Sequence, residues 1–190
     1  MNKPSIGIFG SAFDPPSLGH QNVLQQVSGH FDLILLVPSA SHAFNKRSLP
    51  FDIRVEMLDL FIKSADVDCP LETCELEVQL LTRNPRKPVY TFDLLEALER
   101  EYQGKAVLTF IRGPDNANPE TWNRFYRAQD IEERWSIITA EERLNVRSSK
   151  VRAILNDPMT ADGMITTLDD FLLPSVSAYI RKYKLYTHSP

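Results

Sequence analysis

Cysteine is scarce in this sequence of 190 residues, which contains only Cys69 and Cys74. The two cysteines are five positions apart and have no histidine near them, a spacing that fits neither a zinc site nor a redox-active pair. Sparse, unpaired cysteine is typical of proteins from reducing compartments. The sequence therefore argues against a disulfide-stabilised domain and against a cysteine-based metal site, and no other metal-ligand cluster is predicted.

Long apolar runs are also absent, since no stretch approaches the roughly 20 residues that a membrane-spanning helix needs. The residues from Met1 to Ser5 lead directly into an apolar run at 6–9, without the charged and apolar regions of a signal peptide. These absences predict a soluble, cytoplasmic protein that does not associate with membranes.

Positive charge is in deficit, because 21 lysines and arginines face 25 aspartates and glutamates, for a net charge of -4. This balance argues against general binding of nucleic acid. An anionic ligand must therefore meet a local group of cations. Nothing in the sequence predicts an oligomeric state.

Apolar runs alternate with helical patterns along the whole chain. Strands are predicted at 6–9, 32–37, 73–78, 106–112 and 135–139, and helices at 18–28, 51–64, 91–102, 120–127, 149–155 and 174–183. The central runs D-L-I-L-L-V and V-L-T-F-I lack polar alternation, which is typical of parallel strands covered on both sides. The pattern predicts an α/β fold: a doubly wound, Rossmann-like parallel sheet of about five strands with helices on both faces. It is predicted as a single domain, 1–190, with a helical segment from about residue 148.

In such sheets, ligands bind at the carboxyl ends of the strands where the strand order reverses, which directs attention to the loops 10–17 and 113–119. Segment 10–20 reads G-S-A-F-D-P-P-S-L-G-H, with Ser17 and His20 one helical turn apart. The first amides of a helix bind phosphate, and an imidazole on the same face adds a donor. Taken singly, Ser17 is equally well a helix cap and His20 a surface or core residue. Their combination after a buried strand predicts a phosphate-binding turn.

A second segment of this kind, V-R-S-S-K-V-R-A-I-L, occupies 146–155. It places Ser148 and Ser149 at a helix start and Arg152 on the same face, one turn later. The alternative is a serine cap beside a surface arginine. Two such helix starts together suit a ligand with several phosphates.

These segments resemble the two signatures of the nucleotidylyltransferase superfamily, G-x-F-x-P-x-H-x-G-H and [IV]-S-[ST]-T-x-[IV]-R. Further motifs narrow the resemblance to the nicotinate (or nicotinamide) mononucleotide adenylyltransferases. They follow in that family's order: R-V-E-M-L from Arg54, Y-T-F-D-L-L from Tyr90, G-P-D from Gly113, T-W-N-R-F from Thr121 and the ending V-S-A-Y-I-R-K-Y-K-L-Y. The resemblance covers nearly the full chain.

The resemblance implies that the phosphate of a pyridine mononucleotide attacks the α-phosphorus of ATP, giving a dinucleotide of NAD biosynthesis and pyrophosphate. ATP and a pyridine mononucleotide are thus the expected partners, and Mg²⁺ is expected to arrive with ATP. The implied catalytic residues are His20 at the α-phosphate, with Ser17 and Arg152. The implied ATP-binding residues are Gly10, Ser11, Phe13, Gly19, His20, Gly113, Asp115, Ser148, Ser149 and Arg152. Those for the mononucleotide are Lys46, Thr91 and Trp122.

Some of these roles have alternatives. Asp115 can accept from ribose hydroxyls or serve only in a turn, and Trp122 can stack on the pyridine or anchor a short helix on the core. Arg54 is interpreted as structural, and Asp14 as at most an outer contact.

Three residues depart from the family signatures. Ser17 stands in place of a histidine, Arg147 in place of a serine and Ser149 in place of a threonine. Ser17 can still donate to a phosphate oxygen, as in the pantetheine-phosphate adenylyltransferases, where a threonine stands at this place. The departures leave two alternatives: an adenylyltransferase for another phosphate acceptor, such as pantetheine phosphate, or a catalytically weak nucleotide-binding regulator.

Overall fold

The computed structural model describes residues 2–40, 48–156 and 168–187, in which strands and helices alternate. The strands are β1 (Ser5–Ser11), β2 (Leu33–Pro38), β3 (Leu71–Thr73), β4 (Val107–Arg112) and β5 (Ser136–Thr139). The helices are α1 (Leu18–Val27), α2 (Phe51–Ser64), α3 (Leu76–Arg83), α4 (Thr91–Tyr102), α5 (Pro119–Trp122), α6 (Ala128–Arg134), α7 (Ser148–Leu155) and α8 (Pro174–Tyr183). None of the helices in these ranges is long and apolar enough to cross a membrane.

The strands of the described residues form one parallel sheet in the order β3-β2-β1-β4-β5. The central strand β1 pairs with β2 on one side, where Ile6 is opposite Leu33, and with β4 on the other, where Ile8 is opposite Phe110. The chain proceeds outward from β1 to β3 and then returns to β4, so the strand order reverses between β1 and β4. The predicted doubly wound sheet is confirmed, and its switch point lies at the carboxyl ends of these two strands.

Helices cover both faces of the sheet because successive strand residues point to opposite sides. In β2, Ile34 and Leu36 contribute to one apolar cluster, whereas Leu35 and Val37 contribute to the other. The first cluster contains the buried apolar residues of α1, α2, α7 and α8, and the second contains those of α4 and α6 together with Leu76 of α3. Since both faces are buried, the strands show the continuous apolar runs seen in the sequence.

The third strand is displaced from its prediction at 73–78. It occupies Leu71–Thr73, and the chain then enters α3, in which Leu76 and Leu81 are buried. The alternation of Leu76, Val78 and Leu80 mimics the two-residue period of a strand. Leu76 and Leu80 are four residues apart and both pack on the second apolar cluster, as residues on one face of a helix do, and the helical period prevails here.

The helix predicted at 120–127 is also corrected. The structure has a single turn, α5, which Asn118 caps by accepting from the main-chain N–H of Glu120 at 2.9 Å. A separate helix, α6, follows Arg127, whose φ of 58° lies in the left-handed region. This backbone reversal separates the two helices, and no glycine marks it in the sequence.

Candidate active site

A pocket opens at the switch point of the sheet, between β1 and β4. Three segments line it: the β1–α1 loop with the first turn of α1, the turn after β4, and the segment between β5 and α7. The predicted site residues among its lining are Ser11, Ser17, Gly19, His20, Gly113 and Asp115. Two loops far apart in sequence therefore meet where the topology predicts a ligand.

His20 is the third residue of α1, and both of its ring nitrogens have partners. The main-chain N–H of Ser17 donates to Nδ1 at 3.0 Å, and the Ser17 hydroxyl oxygen lies 3.0 Å from the same nitrogen. Because Nδ1 accepts, the proton of a neutral imidazole is on Nε2, which lies 3.0 Å from Oγ of Ser11. The ring packs on Phe13, with 4.9 Å between centroids. His20 is thus held with one N–H directed along the pocket lining.

The surroundings of His20 favour its neutral form. Desolvation by burial lowers the pKa of His20 to about 4. The free protein at neutral pH therefore presents a neutral imidazole with Nε2–H as a donor. A phosphate placed beside it supplies the negative charge that stabilises the protonated ring.

Phe13, predicted to bind ATP, and Ser17, predicted to be catalytic, are both buried. Phe13 is fully buried under the His20 ring. Ser17 is also fully buried, and its hydroxyl lies against Nδ1 of His20. In this structure both residues support His20, and Ser17 reaches the pocket lining with its hydroxyl held against the His20 ring.

Gly19 is required by a close approach between α1 and the segment before α7. A Cβ added to Gly19 would lie 2.0 Å from the carbonyl oxygen of Val146. At Gly10 and Gly113 the nearest atoms to an added Cβ are 3.9 and 3.7 Å away, which is ordinary contact. Of these three positions, only that of Gly19 is too close to its neighbours for a side chain. The absence of a side chain there allows the two signature segments to be in contact.

The second signature segment is fastened to the first. The Ser148 hydroxyl donates to the carbonyl oxygen of Pro15 at 2.7 Å, and Nη1 of Arg152 donates to that of Asp14 at 2.6 Å. Ser149 follows in the first turn of α7 and is exposed. The predicted meeting of the two helix starts is therefore present, with Ser148 and Arg152 joining them.

The β1–α1 loop has two further supports. Arg54, fully buried in α2, donates to the carbonyl oxygens of Ala12 at 2.7 Å, Ser39 at 2.9 Å and Leu49 at 3.1 Å. The Tyr186 hydroxyl donates to Oδ1 of Asp14 at 2.6 Å. Burial, together with the charge of Asp14, raises the pKa of Tyr186, so this donor keeps its proton. The structural interpretation of Arg54 fits these contacts, whereas sequence reasoning missed Tyr186.

The mononucleotide residues are separated by the structure. Thr91, the first residue of α4, lines a second pocket of about 500 Å³ together with Ser39, Glu77, Val89, Tyr90, Arg124, Phe125 and Tyr126. Trp122 is only 4% exposed, and its Nε1 donates to Glu132 at 2.7 Å. Its ring stacks on Phe110. The structure thus gives Trp122 the anchoring role rather than a face for the pyridine, and Lys46 lies outside the described residues.

The profile of the cytidylyltransferase-like family matches residues 8–154, a span that begins in β1 and ends in α7. It includes all three segments that line the pocket at the switch point. The chain belongs to the cytidylyltransferase-like family.

Within that family, the similarity is to nicotinate-nucleotide adenylyltransferases. A Listeria innocua protein assigned to this activity is 26% identical over 195 residues, which cover 97% of this chain and 98% of that one. The Bacillus subtilis enzyme is 36% identical over 114 residues, 58% and 56% of the two chains. A crystal structure from Vibrio parahaemolyticus, assigned likewise, has a TM-score of 0.74 and 34% identity, covering 96% of this chain and 95% of that one. The resemblance deduced from the motifs is confirmed.

Proposed function

We propose that the protein transfers adenylate from ATP to nicotinate mononucleotide, forming the dinucleotide and pyrophosphate in NAD biosynthesis. The observation that carries the proposal is the junction of two helix starts on one loop. His20 of α1 lines the pocket, and Arg152 of α7 is bound to the main chain of Asp14 in the same loop. Relatives of nearly equal length that carry this activity in their names support it.

The chemistry of the transfer explains why a site of this composition suffices. An oxygen of the mononucleotide phosphate forms a bond to the α-phosphorus, and the bond from that phosphorus to the oxygen bridging to the β-phosphate breaks. The attacking phosphate is already ionised near neutral pH, and pyrophosphate leaves as a stable anion, so no strong base is required. The protein must align the two phosphates and offset their charge.

His20 is the group that we place at the reacting phosphate. Its Nε2–H is directed at Ser11 in the free protein, and an α-phosphate oxygen can replace that hydroxyl as acceptor. Ser17 acts through Nδ1, by holding the ring in this tautomer. Transition-state charge on the phosphate strengthens the bond from His20, which is how a fixed donor accelerates the reaction. This assigns Ser17 a positioning role in place of the phosphate contact predicted from the sequence.

The remaining phosphates are assigned to α7. Ser148, Ser149 and Arg152 occupy its first turns, where main-chain amides carry partial positive charge. Arg152 adds a full positive charge close to the β1–α1 loop. In this proposal they hold the β- and γ-phosphates, and Gly10 and Gly113 leave room at the strand ends.

The second pocket is assigned to the mononucleotide. Its volume of about 500 Å³ is within the range of small-molecule sites, roughly 300–1,000 Å³. Arg124 offers a positive charge to the acid substrate, and Thr91 offers a hydroxyl. Lys46 stays a further proposed contact from the loop after β2. Trp122 is withdrawn from this set because its ring is buried.

Mg²⁺ is proposed to reach the site with ATP. It prefers phosphate oxygens and water to a cage made only of protein ligands. The carboxylates that the structure describes in and near the pocket do not form such a cage, because each is engaged by another side chain. Asp14 accepts from Tyr186, while Asp115 and Glu142 pair with Arg147. When bound, the ion would offset the charge of the triphosphate. We also propose a cytoplasmic location, which two unpaired cysteines support.

One assay tests the proposed reaction. The purified protein is incubated with Mg-ATP and, in separate reactions, nicotinate mononucleotide, nicotinamide mononucleotide or pantetheine phosphate, and pyrophosphate and the adenylylated product are measured. We expect the highest kcat/KM with nicotinate mononucleotide. Product only with pantetheine phosphate would show that the acceptor is wrong. ATP binding without product from any acceptor would identify a nucleotide-binding regulator instead.

A further inference from the structure

One guanidinium bridges two sides of the nucleotide pocket. Nη2 of Arg147, the residue before α7, lies 2.8 Å from Oδ1 of Asp115 and 2.8 Å from Oε1 of Glu142. Asp115 belongs to the turn after β4, whereas Glu142 belongs to the segment after β5. All three residues line the pocket. Arg147 stands where the family signature has a serine, so this bridge is a feature of this chain's own sequence.

The pocket that Arg147 bridges is narrow for the ligand proposed. Its volume is about 100 Å³, whereas small-molecule sites commonly enclose roughly 300–1,000 Å³. Asp115, the residue predicted to accept from ribose hydroxyls, is engaged by Arg147 instead. Two carboxylates at the mouth also oppose a triphosphate, and Arg147 offsets the charge of only one. ATP binding therefore requires the bridge to rearrange.

The bridge is suited to rearrangement. The Arg147 and Asp115 side chains are 48% and 59% exposed, and water screens ion pairs of this kind so that they are easily exchanged. A planar guanidinium binds phosphate oxygens with two parallel donors, which makes phosphate a strong competitor for it. A nucleoside without phosphate offers the guanidinium no such replacement.

We propose that Arg147 is a specificity-determining latch, which pairs with Asp115 and Glu142 in the free protein and exchanges both for the phosphates of ATP. The exchange releases Asp115 for the ribose hydroxyls. The inference rests on the proposed use of ATP, and it predicts selection of ATP over nucleosides through charge.

The test is equilibrium binding by calorimetry, with ATP or adenosine as the only added ligand so that no turnover occurs. For Arg147→Ser we expect ATP affinity to fall about tenfold, the size of one lost charge-assisted hydrogen bond, while adenosine affinity is unchanged or increased. For Glu142→Gln, which weakens the latch but keeps the guanidinium, we expect ATP affinity to rise severalfold.

The neighbouring ion pair of Arg143 and Glu141, 60% and 77% exposed, supplies matched controls outside the pocket lining. Arg143→Ser and Glu141→Gln make the same charge changes, and we expect each to leave both affinities within about twofold of the unsubstituted protein.

Two results would overturn the latch: an Arg147→Ser protein that binds ATP and adenosine as the unsubstituted protein does, or one that loses affinity for both equally. If Arg147→Ser does not fold, a Glu142→Gln protein that matches Glu141→Gln in ATP affinity overturns it as well. An unsubstituted protein that binds ATP but forms no dinucleotide refutes the proposed reaction and leaves the latch standing, provided the variants behave as expected.

Discussion

The main-chain N–H of Ser17 donates to Nδ1 of His20, three residues later, at 3.0 Å. Glutamate or glutamine ordinarily fills this third position of a helix and accepts from the capping residue. Here an imidazole accepts instead, so the bond that begins α1 also sets which ring nitrogen carries the proton. Ser17, which departs from the family signature, thus orients the His20 ring through its main chain.

Replacing His20 with alanine tests its role as the transition-state donor. We expect kcat to fall about 100-fold, the typical cost of removing one such donor, with little change in the Kd for ATP. Single-turnover kinetics and calorimetric ATP binding measure the two quantities. His30→Ala, which removes an exposed imidazole, serves as the control. An unchanged kcat for His20→Ala contradicts the assignment.

The lowered pKa of His20 makes stability depend on pH. Its pKa is about 4 in the folded protein and near 6.5 when unfolded, so the unfolded chain binds more protons between these values. The free energy of unfolding therefore decreases as pH falls from about 6.5 towards 4. Because the ring is partly exposed, we expect a loss of about 1–3 kcal/mol.

Urea unfolding at pH 7.5 and pH 5 measures this effect. Comparing the unsubstituted protein with His20→Asn isolates the imidazole, and the variant should lose less stability between the two pH values. His30→Asn should retain the full dependence. The same pH dependence in all three proteins would assign the effect to other groups.

Gly19→Ala should separate the two signature segments. The added Cβ would lie 2.0 Å from the carbonyl oxygen of Val146. This oxygen belongs to the main chain, so the clash is relieved only if the segment before α7 shifts. We expect a loss of about 1–3 kcal/mol and weaker ATP binding. Gly29→Ala is the matched control, since nothing lies within 4 Å of a Cβ there. Thermal unfolding and ATP titration compare the pair, and equal behaviour would show that the contact is not needed.

Tyr186→Phe removes the hydrogen bond to Asp14 while keeping the ring. Asp14 is 1% exposed, and losing a donor to a buried carboxylate costs about 1–3 kcal/mol. The β1–α1 loop should then be less well held, and the KM for ATP should rise. Tyr183→Phe is the control: Tyr183 is 52% exposed, and we expect this variant to change neither the free energy of unfolding nor the KM for ATP.

The parts of the fold that the sequence predicted depend on local patterns. The sheet class follows from the apolar runs, and the bounds of α2, α4 and α8 match their predicted ranges. The errors arose where two periods compete, as around Leu76 and Leu80, or where a non-glycine residue such as Arg127 takes a left-handed conformation. Such choices are decided by packing partners that a single strand or helix does not reveal.

The candidate site likewise has features that local spacing predicts and features that depend on contacts between distant segments. The sequence predicts that Ser17 and His20 lie together at the start of α1, because the two residues are one turn apart. The ion pair of Arg147 with Asp115 and the burial of Trp122 depend on where separate loops meet, and no spacing predicts them. Tyr186 was missed because a tyrosine near a helix end carries no local signal of its distant partner.

The hydrogen bond between Tyr186 and Asp14 spans 172 positions of sequence. During synthesis, Asp14 is added to the chain 172 residues before Tyr186, which follows all the described strands and helices. The β1–α1 loop can therefore gain this hydrogen bond only after the described strands and helices have been made. The order of synthesis thus delays this support of the β1–α1 loop until the surrounding sheet is available to fold, because a contact of such long range forms only after the segments between have been closed into place.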